Sequence, residues 1–305
     1  MSIPKLLNFG NGIGSVATVK ERLANPNRAS AKIKYLQSSW SEAISVKIFT
    51  SLLVLAACCI LPATADTPVT NKQPILKQDR YILHYSHLKE SRVLTFPTDY
   101  SVGTIYLLSK SNNRELHYPA KGTLKVPPGE VITFIPSTRF YKNPELLKKL
   151  DPNSIDRLFL NIASMDDAED KLCDNALSYV SHLKGLVELN VDRSDATDAG
   201  VARANDLPAL QVFSANDTVI DGSCLKAFAG HKKLRCLSMV MSLLSDKTIH
   251  HLAALPNLES LNAAHCSISD EGLKQLRSCK RLTYLDLGVN ARITDKCIAT
   301  LLQIK

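Results

Sequence analysis

The chain lacks the short motifs that announce most enzymes and metal sites. Its eight cysteines include no C-x-x-C, so neither a zinc ribbon nor a thioredoxin-like site is indicated. There is no G-x-S-x-G, no H-E-x-x-H and no phosphate loop. The run Gly10-Asn-Gly12-Ile-Gly14 has no strand before it to make a nucleotide site. The acids Asp166, Asp167, Glu169 and Asp170 lack the alternating ligands and glycine of a calcium loop and read as a solvated insertion. Net positive charge is small outside the first 47 residues. Seven cations stand there against Glu21 and Glu42, so five of the eight net charges belong to this leader. The other 258 residues are nearly balanced, which argues against a nucleic-acid-binding body.

What the chain does have is a period. Leu186, Leu210, Leu234, Leu258 and Leu282 recur every 24 residues, each opening an apolar-x-x-apolar-x-apolar phrase such as Leu258/Leu261/Ala263. A period of this size marks a stacked solenoid, in which each unit buries its face only against its neighbours. Eight residues after each leucine comes a small hydrogen-bonding side chain: Ser194, Thr218, Ser242, Cys266, Asn290. Next come an apolar residue (Ala196, Ile220, Leu244, Ile268, Ile293) and an acid (Asp198, Asp221, Asp246, Asp270, Asp295). These acids, several preceded by Ser or Thr, are expected at the start of a helix in their own repeat. A one-residue insertion delays the last repeat between Asn290 and Ile293.

Residues 155–305 resemble leucine-rich repeats of the cysteine-containing, ribonuclease-inhibitor-like subtype. The wording Leu285-Asp-Leu-Gly, Ile268-Ser-Asp-Glu-Gly-Leu273 and Ile293-Thr-Asp-Lys-Cys297 carries the likeness. The resemblance implies parallel strands on a concave face, helices on the convex face, and a protein-binding scaffold with no shared active site. F-box ubiquitin-ligase receptors carry the same repeat, but no F-box accompanies it here.

The expected fold class is α/β: this solenoid, preceded by a small antiparallel β module and an N-terminal membrane or signal helix. Residues 1–47 form a basic cytoplasmic leader, with Ile33, Leu36, Trp40, Ala43 and Ile44 at amphipathic spacing. Residues 48–65 are 18 uncharged positions that read as a transmembrane or signal segment. The positive-inside bias then places the body outside the cytoplasm, single-pass and membrane-attached. Ala63-Thr64-Ala65 offers a cleavage site and Leu55-Ala-Ala-Cys58 a lipobox, so a processed leader gives a secreted or lipid-anchored protein. A start at Val46 would leave an ordinary signal peptide. Residues 66–90 read as a tether.

Residues 91–137 hold five short β-rich runs (Arg92–Phe96, Val102–Leu108, Glu115–Tyr118, Gly122–Val126, Val131–Ile135) separated by turn signals. Residues 138–305 are the repeat domain. Its first turn is a helix opened by Asn143 as N-cap with Pro144. Ile155/Leu158/Leu160 is an irregular first repeat, and the 31-residue step to Leu186 puts extra residues near 164–171. No polar cap closes the C-terminal end, where Leu301, Leu302 and Ile304 stand ready for self-association.

The residues between the apolar positions of each phrase should face outward on the concave side. From them the expected protein-binding surface is Arg157, Phe159, Asn161, Glu188, Asn190, Asp192, Val212 and Ser214, with Tyr284 at the far end. Arg157, Phe159 and Tyr284 supply the anchor types that interfaces favour, and Glu188 with Asp192 could select a basic partner. No catalytic, cofactor or metal residue is assigned; His250, His251 and His265 fall on different faces of a 24-residue coil. Two rivals remain open: an enzyme or carbohydrate-binding protein centred on 91–137 with the repeats as spacer, and a soluble intracellular adaptor, such as a ubiquitin-ligase-type substrate receptor.

Overall fold

The computed structural model describes residues 89–109, 115–162, 171–229 and 231–304. The leader, residues 48–65, the tether up to 88 and residues 163–170, which hold all of the expected insertion at 164–171 except Lys171, lie outside the described residues. Among the described residues no helix is long and apolar enough to cross a membrane.

The 24-residue period and the irregular first repeat become six parallel strands in register: β6 (Arg157–Phe159), β7 (Glu188–Asn190), β8 (Val212–Ser214), β9 (Cys236–Ser238), β10 (Ser260–Asn262) and β11 (Tyr284–Asp286). The middle residue of each, Leu158, Leu189, Phe213, Leu237, Leu261 and Leu285, pairs with its counterpart in the next coil and is at most 3% exposed. Burying one such side chain is worth about 1.5–3 kcal/mol, repeated in every coil. The small hydrogen-bonding position turns the chain off the strand. Ser194, Thr218 and Ser242 donate their hydroxyls to Val191, Ala215 and Met239 carbonyls, Cys266 its thiol to Met239, and Asn290 its amide to Ala263 and Leu287.

The β-rich runs fall within a residue of expectation: β1 (Arg92–Thr95), β2 (Gly103–Ser109), β3 (Glu115–Pro119), β4 (Thr123–Val126) and β5 (Glu130–Pro136). The sheet does not stop at residue 137. β5 pairs antiparallel with β2 and parallel with β6, giving one nine-stranded sheet in the order β11-β10-β9-β8-β7-β6-β5-β2-β3. β1 and β4 form a separate two-stranded antiparallel ribbon. From β1, Arg92 reaches the first coil, where its guanidinium meets the Asp156 carboxylate at 2.8 Å with side-chain exposures of 8% and 1%. Asp156 also accepts the Ile132 amide at 2.7 Å. The β strands thus close the N-terminal end of the solenoid, together with helix Thr138–Tyr141 and the 3-10 turn Pro144–Lys149. Asn143 precedes that turn but makes no side-chain cap bond, so its expected capping role is not met.

The acids that close each repeat work differently from expectation. Asp174 accepts the amide and hydroxyl of Thr197; Asp246 does the same for Ser269, and Asp270 for Thr294. Asp198 accepts the amides of Asp221, Gly222 and Cys224. Each carboxylate therefore holds the helix start of the following coil, while the cap of the coil's own helix comes from Thr197 or Ser269. A carboxylate gains most from N–H groups that no helix bond satisfies, and those of the next coil lie one strand spacing away. Burial alone would push Asp198 up, but the amides of Cys224 and Asp221 outweigh it and hold this carboxyl below its ordinary 3.8.

This arrangement requires glycine at Gly200 and Gly272. A Cβ at Gly200 would sit 1.9 Å from Asp174 Oδ1, and one at Gly272 2.1 Å from Asp246 Oδ1. Gly200→Ala should cost about 2 kcal/mol in urea melts despite the better helix propensity of alanine. In an Asp174→Ala background the same change should become neutral or stabilising; an unchanged cost there would refute the steric account. Asp198 gives a pH test. A depressed carboxyl stabilises above its unfolded pKa and loses that contribution as pH falls through the folded value. Asp198→Asn should therefore be weaker by about 1–2 kcal/mol at neutral pH, with the gap closing below about pH 4. A gap constant across that titration would contradict it.

Candidate protein-interaction surface

The concave face is built from three rows of outward positions, one residue per coil in each row. Strands stand about 4.8 Å apart, so neighbouring coils offer partners to almost every polar group. In the first row Arg157 donates Nε to Glu188 Oε2 at 2.7 Å, with its guanidinium 5.1 Å from the centre of the Phe159 ring. In the other rows a polar ladder crosses four strands. Asn161 donates to Asn190 and to the Asp192 carbonyl, and Asn190 donates to the Asp192 carboxylate. Asp192 also accepts the Ser214 hydroxyl at 2.7 Å and both the backbone and side-chain amides of Asn216. Asn216 in turn accepts from Ser238 and from the Val240 amide.

The structure thus brings Arg157, Phe159, Asn161, Glu188, Asn190, Asp192, Val212 and Ser214 together on β6 to β8 and the turns after them. Tyr284 stands apart on β11, the far edge of the sheet. Its hydroxyl is shifted up, by burial and then by Asp286. Three of the expected contact residues are sunk rather than presented: Glu188 is 5% exposed, Val212 2% and Ser214 7%. Glu188 faces the Arg157 guanidinium and Ser214 bonds Asp192, while the short Val212 side chain is shaded by the strands on either side. Asp192 is similarly engaged by its neighbours, so it stabilises the ladder in place of offering a free charge. Asn161 is exposed, and Arg157 and Phe159 are partly so.

A second surface lies where the strands end. Val219 is 61% exposed, Met241 55%, Leu243 58% and Val289 63%, half of the large exposed apolar side chains among the described residues. Met241 and Val289 belong to a row with Arg193, Asp217 and His265 in which every residue has a left-handed backbone, φ 53–58°. None is glycine, and Val289 is β-branched, for which this conformation is costly. The amides of Arg193, Asp217, Met241 and His265 each reach the carbonyl of the following coil, which offsets the strain. The sequence carried a signal for this rim. Methionine and valine occupy a position that is otherwise Arg, Asp or His.

The six described cysteines are free thiols. Burial pushes Cys173 and Cys236 up to about 12, so both are inert packing groups at neutral pH. The rings of His250 and His251 lie 3.9 Å apart between centres, tilted by 55°. Among the described residues no group of three or more His, Cys, Asp or Glu side chains is placed to hold a metal ion.

Parallel 24-residue coils, an asparagine- and serine-lined concave sheet and helical segments on the other side define an α/β solenoid of the leucine-rich-repeat type. No protein-family model matches the chain, and no curated protein matches it in sequence. Similar solved structures include internalin C2 of Listeria monocytogenes, 23% identical with a TM-score of 0.38, over 53% of this chain and 62% of that one. Another is the internalin inlF of the same organism, 18% identical with a TM-score of 0.34, over 50% of this chain and 45% of that one. The chain spans less than two thirds of either neighbour.

Proposed function

We propose that this protein is a non-catalytic, membrane-associated scaffold that binds a protein partner outside the cytoplasm. The contact surface is the N-terminal sector of the concave face, Arg157, Phe159, Asn161 and Asn190, continued over the strand-end rim at Val219, Met241 and Leu243. The observation that carries the reading is the rim: four large apolar side chains more than half exposed along one edge. Exposed apolar rows beside a polar, hydrogen-bonding face are the composition of a protein interface, with a desolvated core and a wetter surround. The inward-turned polar ladder keeps that face rigid, which limits the entropy lost on binding. Attachment to the membrane rests on the apolar run at 48–65 behind a basic leader. The repeats are taken as the cysteine-containing subtype because Cys266 fills the small hydrogen-bonding position with its thiol on the Met239 carbonyl.

The test is photo-crosslinking in intact cells, with a photoreactive residue replacing Asn161, Leu243 or Lys280 in the full chain. Lys280 is exposed on the opposite, strand-start edge. The first two positions should capture the same protein and the third should not. Capture from Lys280 alone, or none from Asn161 and Leu243, would refute the assigned surface.

A further inference from the structure

β3 is the outermost strand at the N-terminal edge of the sheet, and all five of its residues are exposed. Its pairing with β2 sets Tyr118 opposite Ile105 and Leu116 opposite Leu107. Directly paired residues point to the same face. Ile105 and Leu107 are buried in the core, at 0% and 4% exposure, whereas Leu116 and Tyr118 on the same face are 41% and 36% exposed. Among the described residues the apolar face of the sheet thus runs one strand past its cover. On the other face His117 packs edge-on against Tyr106, with ring centres 4.7 Å apart.

Among the described residues no strand pairs with the outer edge of β3. Ala120 turns its amide to the Gly103 carbonyl, on the β2 side. Alternation along an antiparallel strand then directs Tyr118 and Leu116 to β2, and His117 and Glu115 outward. Edge strands are ordinarily guarded by lysine, proline or a bulge near their centre. Here the only proline is Pro119, at the strand end, and there is no lysine.

We infer that β3 pairs with β3 of a second copy of this chain, antiparallel about a two-fold axis through His117. The short sequence Glu115-Leu-His-Tyr-Pro119 is self-complementary in that register. His117 faces His117 with reciprocal main-chain bonds, and Glu115 donates its amide toward the Pro119 carbonyl, so the missing proline N–H falls at the periphery. Leu116 of each copy covers Tyr118 of the other, completing the apolar face on both sides. An isologous contact of this kind closes after two copies. Five residues of strand extend only about 16 Å, so the contact lies below the ~800 Å² per partner of permanent complexes and the dimer is a reversible one.

Cysteine scanning of the full chain in detergent or native membranes tests the register. In a hydrogen-bonded antiparallel pair the two Cα atoms at 117 would stand about 5.5 Å apart, within disulfide reach, whereas the two at 115 would be about 14 Å apart. Mild oxidation should therefore convert His117→Cys into a covalent dimer and leave Glu115→Cys and the unaltered chain monomeric. Adding Leu116→Lys to His117→Cys should lower the yield about tenfold, because it removes the apolar pair on both sides of the axis. Leu116 is exposed, so the urea melt should not move. No dimer from His117→Cys, equal yields from positions 115 and 117, or linkage mainly to a different polypeptide would each overturn the proposal.

Discussion

A carboxylate that belongs to one coil and holds the next is the contact on which the regularity of this solenoid depends. Parallel strands supply hydrogen bonds along the concave face, but they leave the helical side of each coil to find its own spacing. Asp174, Asp198, Asp246 and Asp270 fix that spacing by taking N–H groups that the following helix start cannot satisfy internally. Where the receiving coil also offers a Thr or Ser cap, at Thr197 and Ser269, an α-helix forms over Asp198–Arg203 and Asp270–Gln275. In the two coils between, Asp221 bonds the Ser223 amide within its own turn, and the segments Ser223–Phe228 and Ile249–Ala254 are 3-10 instead. The apolar positions are buried in all of these coils, so the capped and uncapped segments differ in their polar contacts and not in their packing.

The N-terminal end meets a different demand. A solenoid's first coil has no predecessor to cover its core or to bond its outer strand. Here β5 supplies the missing strand and Arg92 supplies the missing charge, set against Asp156 below the ribbon. A buried ion pair contributes little net stability, because desolvation consumes most of the attraction. The pair also ties β1 to the first coil at one position, Arg92 against Asp156. The sheet therefore continues from the repeats into the β-rich segment, and that segment acts as a cap whose own outer edge remains β3.

The period made much of this legible. It located β7 to β11, the buried Leu189, Phe213, Leu237, Leu261 and Leu285, and the small hydrogen-bonding residues that end those strands. A period describes which way a side chain faces within its own coil and is silent about contacts between coils. Hence the destination of Asp174 or Asp198 was not readable, nor was the pairing of Arg92 with Asp156, 64 residues away. Facing outward on the concave side was likewise mistaken for being presented. Glu188, Val212 and Ser214 point that way yet lie buried among neighbouring strands. The strand-end rim was missed because its left-handed residues are not glycine. In the last described turn Leu302 is 54% exposed, but Ile304, expected to stay uncovered, is buried at 4%.

The central claim is that cap and repeats form a single cooperative unit joined through Arg92 and Asp156. Native-state hydrogen exchange on the chain carrying Arg92→Leu addresses it most directly. Removing the guanidinium from the buried Asp156 carboxylate should cost about 3–5 kcal/mol. Protection should then fall together at the amides of Ile132, Leu158 and Val187, on β5, β6 and the turn before β7. If the loss were confined to β1 and β4 while β5 to β7 kept their protection, cap and solenoid would be independent, and the account would be wrong.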